Sequence, residues 1–461
     1  MPVPTIADAI AEFGHGLSFD RLPGVVVHEV KRRLIDSLGC ALGAYDAIPA
    51  IIARAMAPAV KAGPDGCARI ISNSATTPEA AAFANGVMVR YLDWNDTYLS
   101  LEPAHPSDNI PVALACAEAA TRTGQELITA IVASYEVQCR LCDCAALRSH
   151  GFDHVTYGGF SATLAASMLL GLSVKETVHA LGIAGAIAPA LRQTRAGELS
   201  MWKGAAFANT GRDAVFAARL AKEGMTGPAP IFEGEFGVMK VLTGEFPPPD
   251  FSAARSGAYK IIETCIKYFP AEYHGQSAIA AAIEIANELE GDIDRIETIV
   301  ISTFKAAYEI IGSGPERWRP ATRETADHSL PFLVASALTD AGLNLASFSD
   351  ERLHDGRLAG LIAKIKVVRD PALDKLYPQA MPNRVEARLS DGSSITREFI
   401  YPKGHPMNPL SDAEVEAKFK GLSAWRFAGS EMDRVLSMLW RLDELTDASE
   451  ILRAFQTPAR T

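Results

Sequence analysis

The stretch YLDWNDTYLSLEPAHPSDN (91–109) sets Asp93, Asn95, Asp96, Thr97, His105, Asp108 and Asn109 between two apolar helical runs. Polar side chains this dense either cap helix ends or line a site. Asp108 or Asn109 is the natural N-cap for a helix at Pro111. SHGFDHVTY (149–157) puts Asp153 beside His154 ahead of an Ala/Gly-rich helix. An Asp–His pair can orient an imidazole for proton transfer near neutral pH; a histidine there can also simply pack or cap. KYFPAEYHGQS (267–277) crowds Lys267, Glu272, His274 and Gln276 around Pro270, as a ligand cleft or a polar hinge would. Cations gather in LRQTRAGELSMWKG (191–204), with Arg192, Arg195 and Lys203, and in RWRPATRETADH (317–328). Arginine clamps carboxylates through paired N–H donors and lysine acts as a point charge; a solvated surface is the alternative for both stretches.

Cys139, Cys142 and Cys144 could offer three thiolates to a metal. Helical periodicity runs straight through them, however, and turns Cys144 away from the face shared by the other two, so small buried side chains are the better account. No P-loop and no GxGxxG after a strand is present, which argues against nucleotide and nicotinamide chemistry.

These groups need elements to position them. Apolar residues at three/four spacing predict helices over 25–42, 78–91, 111–123, 126–147, 158–170, 174–187 and 201–223. Their many Ala and Gly allow close helix–helix approach, the pattern of a compact bundle. Breakers separate them at Gly63-Pro64, Thr77-Pro78, Glu102-Pro103, His105-Pro106 and 247–249. Beyond Pro270 the pattern changes. Residues 277–289 and 328–340 read as helices, 296–304 and 364–368 as strands, and 383–401 as a hairpin around Asp391-Gly392, a dipeptide suited to a two-residue turn. Helices return at 411–420 and 430–445. The predicted fold is mainly α: a large helical domain (1–270 with 405–461) and a smaller α+β domain (271–404) inserted near the C-terminus.

With 461 residues, 48% hydrophobic and 21% charged, the chain has room for two or three globular domains and little disorder. Forty-four basic against 55 acidic side chains give a net charge of −11, without a basic run. Nucleic acid is therefore a poor partner, and an anionic substrate would need positive charge gathered locally. Seven scattered cysteines do not make a disulfide framework. The N-terminal residues show no secretory pattern, and the apolar run 160–172 is too short for a bilayer. The expectation is a cytoplasmic protein with no membrane partner.

Eight motifs in chain order carry a resemblance to the MmgE/PrpD family: YLDWNDTYL (91–99), HPSDN (105–109), DHVTY (153–157), SMWKGAAFANTGR (200–212), IKYFPAEYHGQSA (266–278), RETADHSLPF (323–332), KVVRDP (366–371) and MPNRVEARLSDG (381–392). The family includes dehydratases of 2-methylcitrate, cis-aconitate decarboxylases and iminodisuccinate epimerases, and the HPSDN and FPAEYH wording is similar to the dehydratase branch. The resemblance implies a cofactor-free, metal-free homodimer with a helical domain, an α+β lid and an active site between them. The family positions fall on Asp93, Thr97, His105, His154, Lys267 and His274. Where the decarboxylases carry a lysine after the WKG segment, this chain has Asn209, with Lys203 and Arg212 nearby.

Such a hydro-lyase must take a proton from carbon next to a carboxylate and give one to the departing hydroxyl; each positioned transfer contributes about 10²–10⁴-fold. Without a Lewis acid, cationic donors must hold the carboxylates of a di- or tricarboxylate and stabilise enolate-like charge. His105 and His154 are the expected acid/base pair. Asp93 and Thr97 would orient groups or touch substrate oxygen. Lys203, Arg192, Arg195, Arg212 and Gln276 are the expected substrate contacts. Decarboxylation of cis-aconitate or epimerisation of a small dicarboxylate are the alternatives within the family, an iron–sulfur hydro-lyase using the 139–144 cysteines is a rival of another metal class, and a non-catalytic helical interaction protein is the alternative outside enzymes.

Overall fold

The computed structural model describes residues 4–60 and 66–456; the Gly63-Pro64 breaker and the first three N-terminal residues lie outside them. The chain divides into two compact units. The first comprises Met1–Thr194, Gly204–Thr264 and Ser411–Thr461, the second Arg195–Lys203 and Cys265–Leu410.

The first unit is built on helices that their sequences start and stop. Thr5/Asp8, Thr123/Glu126, Ser173/Glu176 and Ser411/Glu414 form reciprocal capping boxes at the heads of Ile6–Gly16, Gly124–Cys144, Val174–Ile187 and Asp412–Ser423. Thr77 caps Pro78–Tyr91, with proline in the first turn, where its missing N–H costs nothing. Small residues set how close these helices come. A Cβ on Gly86 would lie 2.9 Å from the Ala208 Cβ, and one on Gly158 2.1 Å from the Phe207 ring. The C-terminal return belongs here because Asp412–Ser423 packs on Gly24–Gly43. Phe419 lies against Gly39, and Lys418 Nζ reaches the buried Asp36 carboxylate at 2.7 Å. The unit is not wholly helical: β1 (Ala68–Arg69) and β2 (Ala75–Thr76) form a minimal antiparallel ribbon.

The second unit holds a four-stranded sheet made of β3 (Ile296–Thr303), β4 (Ile365–Arg369), β5 (Asn383–Leu389) and β6 (Ser394–Phe399), in the order β4-β3-β5-β6. β3 and β4 are parallel, joined by a connection containing Leu330–Asp340 and Gly356–Ile362. The other pairs are antiparallel. In β5 the buried side chains Asn383, Val385, Ala387 and Leu389 alternate with more open ones, facing Gln276–Glu288, which packs on β5 and β6.

The β5–β6 connection corrects the expected two-residue turn. Gly392 N–H donates to the Leu389 carbonyl and Leu389 N–H to the Ser393 carbonyl, leaving residues 390–392 as a three-residue loop. Only Gly392 takes the left-handed conformation (φ +84°), whereas a two-residue type I′ turn needs positive φ at both central positions. The fold class is mainly α with a smaller α+β region. Among the described residues no single helix is long and apolar enough to cross a membrane.

Candidate active site

In the first unit, Pro78–Tyr91 delivers Arg90 at its last turn, and the chain then reverses at Asp93, whose φ of +52° lies in the left-handed region. The reversal brings Asp93 back to Arg90, Nη1 to Oδ1 at 2.5 Å. Arg90 Nη2 sits 2.9 Å from His105 Nε2, and its Nε 3.8 Å from Asp108 Oδ2. His105 Nδ1 faces the Asp96 carbonyl at 2.8 Å. Asp93 therefore reaches the imidazole through Arg90 rather than orienting it directly. Arg90 does not stand out in the sequence, yet it is buried and central.

The rest of the loop is tied down from below. Asp96 accepts from Ser107 N–H (2.9 Å) and the Tyr135 hydroxyl (2.8 Å). Asn95 donates to Ser107 Oγ and Asp108 Oδ1. Thr97 donates its hydroxyl proton to the Ala104 carbonyl at 3.1 Å, holding the narrow 98–104 turn closed. The capping role expected of Asp108 or Asn109 is not what they do. Asn109 sits at the N-cap with helical dihedrals and no capping bond, and its amide goes to the Pro106 carbonyl and Gln138 instead.

His154 opens Val155–Leu170 and lies edge-on to His105, ring centroids 5.5 Å apart. It is buried, and its Nε2 is 3.5 Å from Asp153 Oδ1, which also accepts the Val155 N–H. Asp153 thus caps the helix start as well as flanking the ring. Nearby Glu102 is fully buried. Burial pushes its carboxyl up to about 7, against the pull of the Arg148 N–H and of the Arg148 and Arg192 charges.

The second unit carries its own cluster. His274 Nδ1 is 2.5 Å from Glu272 Oε1, and Glu272 Oε2 accepts the His274 backbone N–H at 2.8 Å. His274 Nε2 is buried and has no hydrogen-bond partner among the described residues; Phe304 and Tyr377 flank the ring. Burial alone would raise the Glu272 carboxyl, but His274, and behind it His328 and Lys267, hold it below its ordinary value. Asn383 donates to the His274 carbonyl at 2.8 Å, so β5 fixes the turn that presents the dyad. Lys203 Nζ contacts Asp327 at 2.8 Å and His328 Nδ1 at 3.3 Å, and both Lys203 and Lys267 are only 1% exposed.

Arg317, from the stretch whose plain alternative was a solvated surface, is buried as well. Its Nη1 has no hydrogen-bond partner among the described residues. Burial lowers its pKa, while Glu316, Asp327 and Glu272 act the other way. Among the described residues the unit therefore holds three buried cations, Lys203, Lys267 and Arg317, and three buried carboxylates, Glu272, Glu324 and Asp327.

Other candidates are placed differently. Gln276 spends its whole amide on the loop before it, donating to the Phe269 and Ala271 carbonyls and accepting the Phe269 N–H, so it shapes the loop rather than offering a group to a ligand. Arg212 is exposed and paired with Asp213, which takes it out of either cluster. Arg192 and Arg195 are half-buried at the ends of one short 3₁₀ turn. Cys139 and Cys142 are fully buried in Gly124–Cys144, and burial pushes their thiols well up, as expected of packing residues.

A bundle carrying a buried Arg–Asp–His constellation and an α+β unit carrying a Glu–His dyad among lysines define the class. The MmgE/PrpD N-terminal domain matches residues 8–250 and the C-terminal domain residues 269–444, and the chain belongs to the MmgE/PrpD family. It is 30% identical to the 2-methylcitrate dehydratase of Cupriavidus necator over 90% of this chain and 89% of that protein. Identity is also 30% to the 2-methylcitrate dehydratase of Escherichia coli K12, over 88% and 87% respectively. An alkylcitrate dehydratase from a fungal species is 28% identical over 88% and 85%.

Proposed function

We propose that this chain is a carbon–oxygen lyase that dehydrates 2-methylcitrate, or citrate, to the corresponding cis-aconitate without a cofactor. Relatives named for that activity along nearly the whole chain support the reaction class. The observation that carries the chemistry is the His274–Glu272 dyad. The Glu272 carboxylate accepts a hydrogen bond from Nδ1–H and leaves a buried Nε2 available, in a unit where Lys203, Lys267 and Arg317 supply buried positive charge. In this reading the cations hold the substrate carboxylates, one imidazole takes the proton from carbon, and another protonates the hydroxyl as the C–O bond breaks. The double bond forms between the two carbons and water leaves. His274 is the group we assign to one of these transfers.

The test is to incubate purified, chelator-treated protein with 2-methylcitrate and with citrate and to follow absorbance of the new conjugated double bond. Turnover that His154→Ala lowers about 10²–10⁴-fold is expected. Absence of any signal at high enzyme concentration overturns the reading. Itaconate and CO₂ from cis-aconitate would move the protein to the decarboxylases.

A homodimer belongs to the same reading. Ile48, Ile51, Ile52 and Met56 form one exposed apolar stripe on Ile48–Met56, which supports a second copy as its cover; sedimentation at a single protomer mass would count against it. A cytoplasmic location belongs to the same reading, and a disulfide-bonded exported form would contradict it.

A further inference from the structure

We infer that Arg90 is the positioning residue that fixes the charge state of His105, holding it as a neutral imidazole with its proton on Nδ1, so that His105 is not the acid that protonates the leaving hydroxyl. The inference follows from what each partner can do. A guanidinium has only donors, so at 2.9 Å from Nη2 the His105 Nε2 must accept. A carbonyl oxygen only accepts, so at 2.8 Å from the Asp96 oxygen the Nδ1 must donate. Both bonds hold together only in the neutral Nδ1–H tautomer. Protonating Nε2 would turn the Arg90 contact into one between two donors and set two cations side by side.

The groups around the ring are arranged to keep Arg90 in place. Asp93 binds its Nη1 and Asp108 stands 3.8 Å from its Nε. The Asp96 carboxylate is directed away from the ring to Ser107 N–H and Tyr135. His154, with Asp153 beside it, meets the ring edge-on. Arg90, Asp93 and Asp108 are all at most 3% exposed, so the carboxylates stabilise the guanidinium where water does not, and the guanidinium in turn blocks the proton. The consequence for mechanism rests on the proposed dehydration; the charge state itself does not.

The test reads that charge state without substrate, so its failure is separable from failure of the proposed reaction. The full chain is labelled with [¹⁵N]histidine, the His105 ring signals are assigned by their loss in His105→Gln, and imidazole nitrogen shifts are followed from about pH 5.5 to about pH 8.5, on both sides of the ordinary histidine value near 6.5. We expect Nδ1 protonated and Nε2 unprotonated throughout, and the same in Arg90→Lys, which keeps a cationic donor. In Arg90→Gln the Nε2 should titrate, with a midpoint raised about tenfold or more in proton affinity toward the ordinary value. A His105 in the unaltered protein that takes up a second proton near pH 6.5, or that carries its proton on Nε2, overturns the inference; that measurement stands even if Arg90→Gln does not fold.

Discussion

At the scale of single residues, the most consequential group outside the reacting atoms is Glu102. Its fully buried carboxyl, one oxygen without a hydrogen-bond partner among the described residues and the other taking the Arg148 N–H, has its pKa pushed up to about 7 from an ordinary 4.5. Between those values the folded protein keeps a proton that the unfolded chain has released. The contribution to stability is therefore complete below about pH 4.5, declines as pH rises, and is lost above about 7. At about 1.4 kcal/mol for each tenfold change in proton affinity, the ceiling is about 3 kcal/mol. Urea unfolding of the unaltered protein should show stability falling from about pH 5 to about pH 8, and Glu102→Gln should flatten that slope. Equal slopes in both proteins would show that Glu102 is ionised in the fold. The location matters, because Glu102 belongs to the 98–104 turn that leads into His105, and Asp153, beside His154, adds to the upward push on its pKa.

At the scale of elements, glycine decides whether helices can approach closely enough to align these side chains. His154 opens Val155–Leu170, and Gly158, one turn later, lies against the Phe207 ring, where a Cβ would come within 2.1–2.9 Å of three ring atoms. Phe207 is buried, so Gly158→Ala should cost about 1–3 kcal/mol through overpacking and lower turnover by tilting the helix that presents His154. Gly421, inside Asp412–Ser423 with nothing within 4 Å of its would-be Cβ, is the matched opposite. There alanine should stabilise by about 0.5–1 kcal/mol through helix propensity. Thermal or urea unfolding of the two variants checks both signs, and equal effects would mean that contact distance is not what governs these sites. Elements with an apolar face repeating at three/four spacing were legible in the sequence: Pro78–Tyr91 and Val174–Ile187 fall where periodicity puts them. Ile48–Met56 was not, because its apolar stripe points outward and answers to no core in this chain. The site was legible as dense polar chemistry in 91–109, 149–157 and 267–277, but not as a wiring diagram. Arg90 ends an apolar helix, where an arginine reads as a partner for the helix dipole; only the left-handed turn at Asp93 reveals that three of its contacts arrive from residues 93, 105 and 108. Arg317 is buried in a segment whose carbonyl is held by Ser329, a tertiary contact that no local pattern encodes.

At the scale of the whole molecule, the overall charge and the local charge oppose each other. The chain carries −11, so a tricarboxylate meets a repulsive field at long range, yet Lys203, Lys267 and Arg317 are buried and attract carboxylates at short range. These two effects respond differently to salt. At about 0.01 M the screening length is about 30 Å and exposed acidic side chains across the surface act together; at about 0.15 M it is about 8 Å and their joint field largely vanishes, while interactions among buried groups are screened much less. The sum predicts that kcat/KM for a trianionic substrate rises as salt goes from about 0.01 M to about 0.15 M, through a lower KM at nearly constant kcat. A positively steered binding protein would show the reverse, with a steep fall over the same range. Lys267→Met adds the decisive comparison. It removes a short-range attraction and leaves the long-range field almost untouched, so it should raise KM at every salt concentration without changing the direction of the salt effect. If Lys267→Met instead abolishes the salt dependence, the repulsion the substrate experiences is set within the α+β unit and not by the charge of the whole chain.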